Sequence, residues 1–251
     1  MISYCTTCMN RLKFLSQTLP RNIEAVAGSG SEFVVLDYGG TKGLEDWARR
    51  SLADAIASGT LRLFRTRQPR TWFAPHAKNV AHLCARGDIL ANIDADVYIP
   101  DGFTEYLERL LASPAIIQMR GLDIHENAGT GGVVILRAEH FHSVRGYDES
   151  LARGWTCEDL HLQFRARMAN GLELLDTETV CTVIPHDNDL RFMNTASRGN
   201  TYDQAYGDLV QRYADGRWVS NDGVPWGVAT DLELMTEDGW VPHKTERPAK
   251  P

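Results

Sequence analysis

Short apolar runs and amphipathic stretches alternate through the first hundred residues, and their periods predict the elements. Ile2 to Cys5 reads as a strand, and Arg11 to Leu19 as a helix that Pro20 closes. Phe33 to Leu36 is a second strand, ending at Asp37 and the turn residues Gly39 and Gly40. A helix follows with Leu44, Trp47, Ala48 and Leu52 on one face, stopping near Gly59. Leu61 to Phe64 is a third strand, Ala77 to Ala85 a helix ended by Gly87, and Ile89 to Ile93 a fourth strand ending at Asp94. Strands joined by crossover helices imply an α/β fold with a mostly parallel, doubly wound sheet. Ligands of such sheets bind beyond the carboxyl ends of the strands. Asp37 and Asp94 both sit at such ends, so the pattern places them on one rim.

The second half is less regular. It predicts a helix at Phe103 to Leu111, strands at Ile116 to Met119 and Val133 to Leu136, a helix at Glu158 to Met168 and a strand at Val180 to Ile184. Beyond about Arg198 the chain turns rich in Gly, Asp, Asn and Trp, and it ends in a polar Pro/Lys tail. No internal repeat is present.

Composition narrows the classes. A hydrophobic content of 43% with 24% charged residues is that of a soluble globular chain. A net charge of −7 without a Lys/Arg block argues against nucleic acid or an anionic membrane as the main partner. A phosphate ligand stays open, because a bound cation supplies positive charge. No basic-then-apolar leader and no bilayer-length apolar run is visible, so a cytoplasmic location is expected. Five scattered cysteines do not form a disulfide framework. Cys5 and Cys8 make a C-x-x-C, but no second pair follows at metal-finger spacing, so both read as reduced thiols.

Three features carry chemistry. Asp94-Ala95-Asp96 places two carboxylates on one side of a strand end, where they repel unless a cation lies between them. Mg²⁺ or Mn²⁺ would relieve that repulsion and bridge diphosphate oxygens, whereas the alternative is a solvated turn. His186, between Pro185 and Asp187, lies far downstream and would join the pair only through the fold. Trp155-Thr156-Cys157-Glu158-Asp159 opens a helix. Acids there cap the free N–H groups, and one of them can also serve as general base toward a sugar hydroxyl, with Trp155 offering a face to a pyranose ring.

The ordered series resembles a family-2-type GT-A glycosyltransferase, with a second half similar to the galactosyltransferase-like subgroup. It comprises Thr6-Thr7 with Asn10-Arg11, Val34 to Gly40, Ala77-Lys78-Asn79, Gly87 through Asp96, Gly131-Gly132-Val133, Gly146 to Glu149, Trp155, Glu158-Asp159 and Pro185-His186. The resemblance covers roughly residues 2 to 190 and implies one GT-A domain over residues 1–251. Residues 1–97 would form the nucleotide-binding half, 98–198 a smaller sugar- and acceptor-binding half, and 199–251 a C-terminal extension. The implied donor is a nucleotide sugar, typically a UDP-sugar, and the acceptor a glycan, a lipid-linked glycan or a small molecule. Asp37 would read the base with Thr6 and Arg11 nearby, and Lys78 would stand near the nucleotide. Asp94 would contact the ribose or the metal, Asp96 would ligate Mn²⁺ or Mg²⁺, and His186 would complete the cation site, with Ala95 between the two acids against the donor. Gly131 and Gly132 would admit a close backbone approach, Trp155 would face the donor sugar, and Arg191 and Arg198 would reach the diphosphate. Asp159 would be the catalytic base of an inverting transfer, and Glu158 a ligand for sugar hydroxyls. Asp37-Tyr38-Gly39-Gly40-Thr41 departs from relatives that carry a second acid and a serine there, and residues after Arg198 match nothing in the series.

Two other classes share parts of this pattern. A nucleotidyltransferase would show a glycine-rich basic loop after the first strand, but Cys5 to Arg11 contains no glycine. A non-catalytic binding module would not need the D-x-D, the Glu158-Asp159 pair and His186 together.

Overall fold

The computed structural model describes residues 1–119, 132–151, 154, 156–177, 181–187, 189, 192, 194–196 and 201–245. Its first half alternates strand and helix as the periodicity predicts: β1 (Ile2–Cys8), α1 (Leu12–Ala25), β2 (Glu32–Tyr38), α2 (Leu44–Ser51), α3 (Ala53–Ala57), β3 (Leu61–Thr66), α4 (Ala74–Leu83) and β4 (Ile89–Asn92). There follow β5 (Val97–Tyr98), α5 (Phe103–Leu110), β6 (Ala115–Met119), β7 (Val134–Arg137), α6 (Ala138–Ser143) and α7 (Glu158–Asn170). The last elements are β8 (Glu173–Thr177), β9 (Thr182–Val183), α8 (Tyr202–Asp215), β10 (Glu233–Thr236) and β11 (Gly239–Pro242).

Nine strands form one sheet in the order β11-β10-β3-β2-β1-β4-β7-β6-β8. The first four pair in parallel, and only β7 and β10 run against the common direction. The chain steps from β1 outward to β3 and then returns to place β4 on the other side of β1. That reversal opens a crevice between the carboxyl ends of β1 and β4, where a doubly wound sheet holds its ligand. Strand alternation sorts the core into two layers. Ile89 and Ala91 face α1, α2 and α5 with Leu15, Leu44 and Leu107, whereas Leu90 faces the other way with Phe141 and Leu162. Cys5 and Cys8, three apart on β1, therefore point into opposite layers and remain separate buried thiols.

Three local expectations are corrected. Pro20 does not close α1, which continues to Ala25. A mid-helix proline loses a hydrogen bond and costs about 3 kcal/mol. Tertiary bonds on both flanks offset that loss: Thr18 donates to the Ala95 carbonyl at 2.7 Å, and Asn22 donates to the Val97 carbonyl at 2.8 Å while accepting from the Ile99 N–H at 3.0 Å. The strand expected to end at Ile184 shrinks to the two residues of β9, paired with β5 outside the main sheet. The region after Arg198 is not merely irregular, since α8 docks on α7 and β10–β11 extend the sheet beyond β3.

Buried polar groups lock the second half. Asn79 accepts the Tyr147 N–H at 2.8 Å and donates to the Tyr147 carbonyl and to Glu149, so α4 grips the turn at Gly146. Gly146 has φ +66, and any Cβ there would strike Asn79 and the Trp226 ring. Arg165, fully buried, donates to the Val144 and Gly146 carbonyls and to His161 Nδ1. Burial holds the His161 imidazole neutral, down to about 4, so its Nε2–H donates to Asp208 on α8 at 3.1 Å. Arg212 spans Asp208 and Asp148, each at 2.7 Å.

Asp148 gives this lock a pH dependence. Burial alone would raise its carboxyl, but bonds from Ser150, Ser220 and Arg212 outweigh burial and hold it below the usual carboxylate range. A depressed folded-state value means stabilisation that is complete above about pH 4, the ordinary aspartate value, and is lost as pH falls through the folded value. Asp148→Asn should lower stability at pH 7 by about 3 kcal/mol, as for a broken buried pair. It should also flatten the decline below about pH 4. Urea unfolding across that range reads both effects.

Candidate active site

Asp37 lies one residue before the end of β2, opposite Cys8 of β1, and Asp94 follows β4, whose Asn92 lies opposite Cys5. The two acids thus flank the end of β1 on one rim, as the pattern predicts. Asp37 is buried, takes the Thr41 N–H at 2.6 Å, and is raised by that burial. Beside it lies a cavity of about 210 Å³ lined by Asp37, Thr41, Glu45, Arg65, Arg67 and Trp240. The Arg65 guanidinium sits 3.9 Å above the Trp240 ring. Trp240 arrives on β11, from the stretch the sequence left unassigned. Thr6 is buried in β1 on the same rim, and Arg11 stands at the start of α1.

His186 reaches Asp94-Ala95-Asp96 by strand register. β5 and β9 pair antiparallel with Val97 opposite Val183, and the ladder continues in the Ile184 N–H that donates to the Asp96 carbonyl at 2.8 Å. Two further steps bring the chain from Ile184 to His186, back alongside the D-x-D. His186 Nε2 lies 2.9 Å from Asp96 Oδ2 and 3.3 Å from an Arg11 nitrogen. The hydrogen bond with Asp96 raises the imidazole above its ordinary value despite partial burial. Its Nδ1 faces the Asp187 carbonyl at 3.1 Å, a bond that fixes the ring with Nε2 turned to Asp96. A carboxylate and an imidazole on one rim suit Mn²⁺ or Mg²⁺, with Asp94 as a further oxygen donor. Asp94 accepts from Asn92 at 3.2 Å, and burial raises its carboxyl, with Lys78 opposing and Asp96 and Glu158 adding. A Cβ at Gly132 would strike the Asp94 carboxylate, so only glycine permits that approach.

Across the crevice α7 begins. Lys78 on α4 meets Asp159 Oδ1 and Oδ2 at 2.7 Å each and Glu158 Oε1 at 3.0 Å. Its ammonium also lies 5.3 Å from the Tyr147 ring centroid. Burial disfavours the ammonium, but the two carboxylates outweigh it and hold its value well above the usual one. Burial pushes the Asp159 carboxyl well up, against the pull of Lys78. Glu158 Oε2 accepts the Thr156 hydroxyl at 2.8 Å, so both Glu158 oxygens are engaged inside the protein. Lys78, expected beside a nucleotide, is thus bonded to the acids.

Sequence reasoning missed Asn194, which bridges the rim. It donates to the Met9 carbonyl, accepts from the Asn10 amide, and its own carbonyl takes the Trp72 N–H at 2.6 Å. Nothing in a lone Asn signals such a tie. Trp155, Gly131, Arg191 and Arg198 lie outside the described residues. Asp148, His161 and Asp208 also cluster with metal-like spacing, but Arg212 and Arg165 already occupy them. That group belongs to the lock described above.

No protein-family model and no curated protein matches the sequence. Solved structures do. A mannosyltransferase from Pyrobaculum calidifontis, PcManGT, in complex with GDP-Man and Mn²⁺, superposes with a TM-score of 0.61 at 19% identity over 74% of this chain. The chain spans 58% of that protein's length. S. aureus TarS in complex with UDP-GlcNAc gives 0.58 at 13% identity, covering 88% of this chain and 74% of that one. The catalytic domain of Drosophila β1,4-galactosyltransferase 7 in complex with xylobiose gives 0.54 at 16%, covering 81% and 77%. The fold is that of the GT-A glycosyltransferases.

The Asp96–His186 pair yields a direct expectation. Titration calorimetry with Mn²⁺ alone should show binding that His186→Ala weakens at least about tenfold, or about 1.4 kcal/mol. Asp148→Asn should leave that binding unchanged.

Proposed function

We propose that this chain transfers a sugar from a nucleoside-diphosphate sugar, a UDP-sugar foremost, to an acceptor hydroxyl with inversion. Asp96, His186 and Asp94 hold a divalent cation, Mn²⁺ or Mg²⁺, and Asp159 is the general base. The observation that carries this reading is the pairing of two sites across one crevice. Asp96 and His186 meet at 2.9 Å on one side, and a carboxylate made more basic by burial stands at the start of α7 on the other. The GT-A neighbours, with GDP-Man and Mn²⁺ or UDP-GlcNAc in their complexes, support the donor class.

When bound, the cation neutralises charge that gathers on the departing diphosphate. Asp37 and the cavity beside it face the base, with Thr6 and Arg11 near the nucleotide. Gly132 keeps the Asp94 side of the crevice open for the donor. Asp159 removes the acceptor proton as the acceptor oxygen bonds to the anomeric carbon. The bond from that carbon to the phosphate oxygen breaks, and its electron pair leaves with the nucleoside diphosphate. The sugar passes through an oxocarbenium-like state, and attack on the face opposite the leaving group inverts it. Glu158 steadies the acid pair. The acceptor is a glycan, a lipid-linked glycan or a small hydroxyl compound. No described helix is long and apolar enough to cross a membrane.

A panel of UDP- and GDP-sugars with Mn²⁺, read by nucleoside-diphosphate release and by the anomeric configuration of the product, tests this reading. Asp159→Asn should lower turnover by about 10²–10⁴-fold with the donor dissociation constant within about threefold of the parent's. Undiminished turnover in that variant would remove Asp159 from the role.

A further inference from the structure

We propose that Lys78 is a positioning residue of the transfer reaction, an internal counter-charge that holds Asp159 ionised and aimed at the acceptor hydroxyl. The inference rests on the function proposed above, and it reassigns a basic side chain that the sequence had set beside the nucleotide.

Donor arithmetic comes first. An ammonium has three N–H donors. Two of the three contacts go to the Asp159 oxygens at 2.7 Å and the third to Glu158 Oε1 at 3.0 Å. None remains for a diphosphate. Lys78 is also only 4% exposed, less than either acid. A buried lysine that left these partners for a phosphate would strand two carboxylates in a low-dielectric site.

The charge balance comes second. Three sets of groups face Asp159: Lys78 from α4, Glu158 on its own helix with Tyr147 from the turn before it, and Asp94 from the end of β4. Asp94 and Glu158 both push the Asp159 proton on, and among these groups Lys78 alone is positive. Burial raises the Asp159 carboxyl, and losing Lys78 would remove the one pull that opposes that rise. With Lys78 in place, each Asp159 oxygen has one lone-pair direction engaged and another available to a hydroxyl. The third contact, to a Glu158 that Thr156 anchors, keeps the ammonium from following the acceptor proton.

The variants Lys78→Met, Lys78→Arg and Glu158→Gln separate this role from phosphate binding and from mere structural support. Calorimetry with Mn²⁺ and UDP or GDP should give dissociation constants within about threefold of the parent's for Lys78→Met, and a loss beyond about tenfold would make Lys78 a phosphate ligand. The acidic limb of kcat/KM should move up by about one pH unit or more in Lys78→Met, return toward the parent in Lys78→Arg, and move down in Glu158→Gln. A limb that stays fixed in all three overturns the proposal. Carbon-13 NMR of aspartate-labelled protein, with the Asp159 resonance assigned through Asp159→Asn, reads the same shift without any substrate. It therefore decides the proposal even where no donor supports turnover, an outcome that would count against the proposed function alone. Should Lys78→Met fail to fold, Lys78→Arg and Glu158→Gln carry the same readings.

Discussion

Like charge gathered in a poorly solvated crevice is the constraint around which this molecule is arranged. Asp94, Asp96, Glu158 and Asp159 converge there from two halves of the chain and repel one another, and burial raises the Asp94 and Asp159 carboxyls. The fold answers with separate partners on each side. Asp96 has His186 with Arg11 behind it, and the α7 pair has Lys78. Asp94 receives only the Asn92 amide and makes no ion pair among the described residues. A cation entering beside Asp94 and Asp96 would therefore lower the energy of the site most where the protein supplies least.

The doubly wound core makes that convergence possible. Placing β4 on the opposite side of β1 from β2 sets Asp37 and Asp94 on either flank of one strand end. These positions were legible in the sequence, because strand runs ending in acids are local signals and crossover handedness prunes the topologies. The Asp96–His186 contact was legible only as a resemblance. Its physical cause, the register of β5 against β9, depends on a two-residue ladder too short to leave a periodic trace.

Other parts were not legible, for reasons that differ. Pro20 speaks locally for a helix end, and the bonds from Thr18 and Asn22 that overrule it are made to Ala95 and to Val97 of β5, far along the chain. The partners of Lys78 were not legible because a lone basic residue in sequence carries no direction, whereas the fold turns it inward between α4 and α7. β10 and β11 were hidden because each is only four residues long, the second opening on a glycine. Yet they carry Trp240 to the cavity beside Asp37.

α7 ties these strands of the structure together. Its helical signal in sequence rests on Leu160, Phe164 and Met168, but its buried face is largely polar, with Glu158, His161, Gln163 and Arg165. That composition would be costly unless every group found a partner. At one end the partners are Lys78 and Thr156, which hold the two acids. In the middle they are the Val144 and Gly146 carbonyls and Asp208, which fasten the helix to the turn at Gly146 and to α8. A base acts well only when its own position is fixed. The polar interior of α7 thus supports its two acids: the network through Arg165 and Asn79 holds the start of α7 against α4, so that Lys78 and Asp159 meet at one geometry.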